Sequence, residues 1–181
     1  MTTDVTETPG SLREMAAVVT GGAKGIGLGI ARELARHGCR IALWDMDQDA
    51  LHAATEEVAA LGVEVQACQV NVASQDQVEA AVAQVLASFG RIDVLVNNAG
   101  IGGDKLVTKM DLDFWKRVID INLTSQFICS KAVIPGMVER NFGRIINIGS
   151  RAWLGNRGQA SYSASKGGVV SFTRSLALEF A

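Results

Sequence analysis

Thr20-Gly21-Gly22-Ala23-Lys24-Gly25-Ile26-Gly27 follows without a break on the apolar run Ala16-Ala17-Val18-Val19, and a helical stretch then runs through His37 to Gly38. Such a short apolar run suits a parallel strand buried on both faces, and Gly38 is a typical helix stop. Strand, glycine-rich turn and helix together predict the first unit of a dinucleotide-binding fold. The glycines let the backbone approach a pyrophosphate, while the helix start offers free N–H groups and a positive dipole end. Three glycines in a loop are a weak signal alone. The strand before them and the helix after them give them meaning.

Outward from this stretch, strand and helix patterns alternate. Residues 40–44 read as a second strand ending at Asp45, and 49–61 as a helix. Residues 63–70 form a third strand with Asn71 at its end, and 76–89 a helix stopped by Gly90. Residues 92–96 are a fourth strand that delivers Asn97-Asn98-Ala99-Gly100. A long helical region over 111–140 contains Asn122 and is expected to distort near Pro135, which lacks a backbone donor. Residues 144–148 form a fifth strand ending at Gly149-Ser150, and the loop 151–158 leads into a last helix. This alternation predicts an α/β fold with right-handed crossovers and a doubly wound parallel sheet. One domain, 13–181, follows a flexible tail, 1–12, marked by Pro9-Gly10. In such a sheet ligands sit beyond the C-terminal strand ends. Gly21 to Gly27, Asp45, Asn71, Asn97 and Ser150 all fall on that rim.

The last helix carries Ser161-Tyr162-Ser163-Ala164-Ser165-Lys166. Positions i and i+4 share a helix face, so Tyr162 and Lys166 project into one space. A phenol ordinarily titrates near pH 10. A cation about 4 Å away, at an effective dielectric near 20, favours the phenolate by up to roughly 4 kcal/mol, or about 3 pKa units. A tyrosine so placed can act as general acid and base. Alone, the pair reads first as surface decoration; the rest of the chain is what overturns that reading.

Composition narrows the class. The 181 residues are 48% hydrophobic and 20% charged, ordinary for a globular domain with a proper core. A net charge of −2 and a pI near 5.7 offer no footprint for nucleic acid or an anionic membrane. No apolar run is long enough to span a bilayer, and the polar, acidic start lacks the pattern of a secretory signal. Cys39, Cys68 and Cys129 are widely spaced and fit neither a metal site nor a disulfide framework. A cytoplasmic location is the default expectation.

Thr20 to Gly27, Asn97-Asn-Ala-Gly100, Asn122, Ser150 and Tyr162-Ser-Ala-Ser-Lys166 together resemble the compact short-chain dehydrogenases/reductases, in family order from about Met15 to the last residue. The resemblance implies hydride transfer between a nicotinamide cofactor and a secondary alcohol or ketone. It implies that Tyr162 exchanges the proton, Lys166 supports Tyr162 and holds the nicotinamide ribose, and Ser150 orients the substrate oxygen. Asn122 anchors a water that returns protons to Lys166. Gly21, Lys24, Gly25, Ile26, Gly27, Asp45, Asn71, Val72, Asn98, Ala99 and Gly100 would join Tyr162 and Lys166 in binding the cofactor. Asn97 supports the sheet beside it. No metal is implied. Asp45, 24 positions beyond Gly21, stands where this fold places the adenosine ribose, which predicts NAD, with Lys24 as the cation that would admit NADP. Family members commonly assemble through the two last helices, predicting a homodimer or homotetramer.

Other readings remain beside this one. Ser150 could simply cap a turn, Asn122 could be a polar kink, and Trp153 could contact substrate or pack in its loop. Residues 155–160 resemble 3-oxoacyl carrier-protein reductases, although polyol and sugar dehydrogenases look similar. A non-catalytic dinucleotide-binding module is the alternative from another class. Asn71 stands where the family often has Asp. Members of the family usually continue past the point corresponding to Ala181 with a sixth strand and a substrate lid, so the chain is expected to lack its C-terminal strands and to leave its fifth strand as an edge.

Overall fold

A computed structural model describes residues 12–181. Five parallel strands, β1 (Ala16–Thr20), β2 (Arg40–Asp45), β3 (Val65–Gln69), β4 (Val94–Asn97) and β5 (Arg144–Asn147), form one sheet in the order β3-β2-β1-β4-β5. The order reverses between β1 and β4, the crevice where a doubly wound sheet binds its ligand. The register sets Thr20 beside Trp44, Asp45 beside Gln69, and Asn97 beside Asn147. The chemistry-bearing strand ends thus share one rim.

Alternation along the strands builds two cores. Val18, Ala42, Trp44 and Leu95 face helices α3 (Gln75–Phe89) and α5 (Ser125–Glu139). Val19, Ile41, Leu43 and Val96 face α1 (Gly25–Arg36) and α2 (Gln48–Ala59). β1 is buried throughout, as a strand covered on both faces must be. Trp44 is wholly buried, a packing residue. On the opposite rim, buried Asp93 accepts from the Ala16 N–H at 3.0 Å and from Arg91 Nε at 2.9 Å, tying β1 to β4. The expected tail falls almost entirely outside the described residues. Leu12, the first of them, donates its N–H to the His37 carbonyl and packs on the second core.

The helical region after β4 continues through Pro135, which lies inside α5. It departs from α-helix earlier, where α4 (Leu112–Ile119) passes through a π-helical turn, Asp120–Thr124, into α5. That turn contains Asn122, whose amide is bound to a neighbouring loop. π turns inside helices frequently mark functional sites. Helix α6 (Ala160–Glu179) follows β5 and carries Tyr162. Among the described residues β5 is an edge strand, and Ile146 within it is 46% exposed.

Candidate active site

At the glycine-turn end the backbone does the work. Gly21 and Gly25 adopt φ of +61° and +53°, which only glycine takes without strain. A Cβ on Gly27 would stand 2.1 Å from the Gly21 carbonyl oxygen, so α1 packs directly on the turn. Lys24, the N-cap of α1, makes no side-chain cap bond, leaving the first N–H groups of the helix open. A Cβ on Gly25 would meet nothing within 4 Å, and Ile26 is 70% exposed. Open amides beside open space fit a phosphate.

Asp45 holds the edge of this cradle. One carboxylate oxygen accepts from the Ala23 N–H at 3.3 Å and the other from the Asp47 N–H at 3.1 Å. Lys24 is paired with Asp47 at 2.5 Å, both side chains substantially exposed. Their hydrogen bond raises the Lys24 pKa and lowers that of Asp47. Asn71 closes a local turn, its Oδ1 accepting from the Ala73 N–H at 3.1 Å. The Val72 side chain belongs to the core, so its backbone alone faces the rim.

The segment after β4 links this end to the rest. Asn98 Nδ2 donates to the carbonyls of Thr20 (2.9 Å) and Gly21 (3.2 Å). Thr20 Oγ1 receives the N–H groups of Asn98 and Ala99, each at 3.0 Å. Asn97, buried, donates to Asn147 Oδ1 (2.8 Å) and Ser130 Oγ (3.2 Å), binding β4 to β5 and α5. A Cβ on Gly100 would lie 3.3 Å from Asn122 Oδ1, so only a small residue suits that position.

Side chains make the other end. Asn122 is fully buried; its Oδ1 accepts from the Ile101 N–H (2.8 Å), and its Nδ2 donates to the Ile101 carbonyl (2.9 Å) and Ser165 Oγ (3.2 Å). Both amide hydrogens are thereby used, and one Oδ1 lone pair remains. Ser165 Oγ donates to the Tyr162 carbonyl at 2.7 Å. Lys166, 4% exposed, donates from Nζ to the Ile148 carbonyl at 2.7 Å and lies 5.8 Å from the Tyr162 ring centroid. Burial pushes its pKa down, because a low-dielectric setting disfavours the ammonium. Ser150 Oγ accepts from the Ala152 N–H at 3.2 Å, capping a 3₁₀ turn over Arg151–Leu154 that packs on α6. Capping uses the oxygen and leaves the hydroxyl proton to donate, so the structural role and the chemical one are compatible. Trp153 is 52% exposed.

Thr20, Ser165 and the Ile148 carbonyl are the contributors that sequence reasoning missed. Thr20 and Ser165 lie inside the quoted motifs, but nothing local shows what their hydroxyls touch. A main-chain carbonyl carries no residue-type signal at all.

Residues 15–181 match the short chain dehydrogenase family. The chain belongs to the short-chain dehydrogenases. It is 46% identical over 173 residues to a 3-oxoacyl-[acyl-carrier-protein] reductase of Synechocystis sp., covering 94% of this chain and 70% of that one. To the BbsD subunit of (2S)-[(R)-hydroxy(phenyl)methyl]succinyl-CoA dehydrogenase of Thauera aromatica it is 39% identical, covering 93% and 68%. Among solved structures, an NAD+-bound xylitol dehydrogenase superposes with a TM-score of 0.90 at 38% identity, covering 93% of this chain and 65% of that chain. The chain thus spans about two thirds of the length of these relatives. The short-chain dehydrogenases are NAD(P)-dependent oxidoreductases, and the cradle described above fits a nicotinamide dinucleotide. No helix among the described residues is long and apolar enough to cross a membrane.

Proposed function

We propose that this short-chain dehydrogenase interconverts a secondary alcohol and a ketone, with Tyr162 exchanging the proton at the substrate oxygen. The observation that carries the reading is the placing of Tyr162 and Lys166 on one face of α6, with Ser165 between them bound to Asn122 and Lys166 bound to the Ile148 carbonyl at the end of β5. The nicotinamide, when bound, supplies or accepts the hydride. The chain supplies the rest. Ser150 donates a hydrogen bond through its free hydroxyl to the substrate oxygen and orients it, and Lys166 places positive charge where negative charge develops. Water on the remaining Oδ1 lone pair of Asn122 would return protons to the site. Gly21, Lys24, Gly25, Ile26, Gly27, Asn71, Val72, Asn98, Ala99 and Gly100 line the cofactor's path.

The cofactor is NAD. The Asp45 carboxylate can receive both ribose hydroxyls, whereas a 2′-phosphate would meet a like charge. Lys24, the cation that could offset it, is already paired with Asp47. The protein is a homo-oligomer: α5 and α6 expose Phe127 (49%), Val138 (57%) and Leu178 (86%), apolar surface of the kind a symmetric interface covers. The test is absorbance of reduced cofactor, with NAD and NADP, against secondary alcohols, polyols and 3-oxoacyl thioesters. Turnover of one class by the unmodified protein, abolished in Tyr162→Phe, is the expected result. Cofactor binding with no turnover of any class would overturn the reading in favour of a binding module.

A further inference from the structure

The N-cap of α6 is Gln159, and its side chain makes no cap bond. Helix starts favour Ser, Thr, Asp or Asn, whose short side chains reach back to the first N–H groups. Here the amide is used elsewhere. Gln159 Nε2 donates to Asp104 Oδ1 at 2.9 Å, and Gln159 Oε1 accepts from Asn156 Nδ2 at 3.0 Å. The backbones join at the same place: the Lys105 N–H donates to the Gly158 carbonyl at 2.7 Å, and Lys105 and Gln159 form an isolated parallel bridge.

The Asp104–Lys105 side of this junction is itself fixed. Lys105 is paired with Asp111 and lies 4.9 Å from the Phe114 ring centroid. A Cβ on Gly103 would come 2.7 Å from that ring, so any larger residue there would have to displace Phe114. Four residues before Lys105, Ile101 is held through both its N–H and its carbonyl by Asn122. The segment from Asn98 to Lys105 is therefore pinned to the glycine turn, to the π turn, and to the start of α6. Tyr162 stands three residues beyond Gln159, in the first turn of that helix. Displacing this turn displaces the phenol, and a misplacement of about 1 Å can cost on the order of 100-fold in rate.

We propose that Gln159 and Asp104 form a latch that sets the position of Tyr162, with Gln159 a positioning residue. This rests on the reading of Tyr162 as the proton-exchanging group. The latch predicts a swap. Gln159→Glu sets a carboxylate against the Asp104 carboxylate and opens the latch. Asp104→Asn retains an accepting oxygen and leaves it closed. In the double variant the Asn amide donates to the Glu carboxylate and closes it again.

The experiment measures kcat, cofactor Kd, Tm and amide hydrogen exchange over residues 160–165 for the three variants of the full chain. In Gln159→Glu, kcat falls about tenfold with cofactor Kd within twofold, and exchange over 160–165 accelerates. Asp104→Asn stays within twofold of the unmodified protein, and the double variant recovers to within about threefold, with exchange restored. A Gln159→Glu protein with kcat and exchange both unchanged would sink the latch. So would a double variant no better than Gln159→Glu, or a fall in kcat explained wholly by a lower folded fraction from Tm. Tyr162→Phe separates the two ideas. If it retains its rate, the catalytic reading fails and the exchange measurements alone decide whether the latch exists.

Discussion

The two ends of the site are built on opposite principles. Around Gly21, Gly25 and Gly27 the structure depends on atoms that are not there, since a single Cβ on Gly27 would collide with the Gly21 carbonyl. Around Tyr162 it depends on side chains that are there and on what each is bonded to: Lys166 to Ile148, Ser165 to Tyr162, Asn122 to Ile101. A phosphate-bearing ligand is gripped by main chain, which needs close approach. A proton is moved by a functional group, which needs a particular oxygen at a particular point. Adding an atom should therefore damage the first end, and removing one the second.

The sharpest way to break this contrast is Tyr162→Phe, which deletes one oxygen and nothing else. Steady-state kinetics should show kcat lower by about 100- to 10,000-fold, while fluorescence titration gives a cofactor Kd within twofold of the original. Retention of more than about a tenth of the rate would remove Tyr162 from the chemistry. At the other end, Gly27→Ala adds one carbon. Overpacking of this kind typically costs about 1–3 kcal/mol. Calorimetric titration should show cofactor Kd raised at least about tenfold, with a lower Tm. Unchanged affinity would mean that α1 can move away from the turn.

Asp45→Ser tests the boundary of the cradle. Removing the carboxylate should raise the kcat/KM ratio of NADP to NAD at least about tenfold, or roughly 1.4 kcal/mol. If the ratio does not move, Asp45 is not the selector. The smallest effect is on stability. Because burial depresses the Lys166 pKa below that of an ordinary lysine, near 10.5, the folded state holds that proton less tightly than the unfolded chain. The cost of burying the charge is complete below the folded pKa and is relieved as pH rises from there toward 10.5. The Tm difference between the unmodified protein and Lys166→Met should therefore move in favour of the unmodified protein from pH 7 to pH 10, by calorimetry. A shift in the opposite direction would contradict the assigned effect of burial.

Much of the fold was legible because its signals are local. Ala16 to Val19 read as a buried strand, and the glycines after it as a turn into a helix, since both follow from spacing and residue type within a dozen positions. Tyr162 and Lys166 were legible as a pair because helical geometry alone puts i and i+4 together. Pro135 was legible for the same reason: its missing donor is a local fact, and α5 continues through it. The π turn at Asp120–Thr124, where Asn122 is bound to Ile101 across 21 positions of chain, has no such local signal.

By itself the sequence determined the period of each element, the order of strands and helices, and hence a parallel sheet whose polar strand ends share one rim. Those are consequences of backbone sterics and hydrophobic alternation, which act between near neighbours. Only the tertiary structure decided that Thr20 receives the N–H groups of Asn98 and Ala99, that Lys166 donates a hydrogen bond to the Ile148 carbonyl, and that Gln159 reaches Asp104 rather than capping its own helix. Each of those bonds joins groups 18 or more positions apart. A hydrogen bond depends on distance and angle to within a few tenths of an ångström, and that precision exists only once the layers have packed.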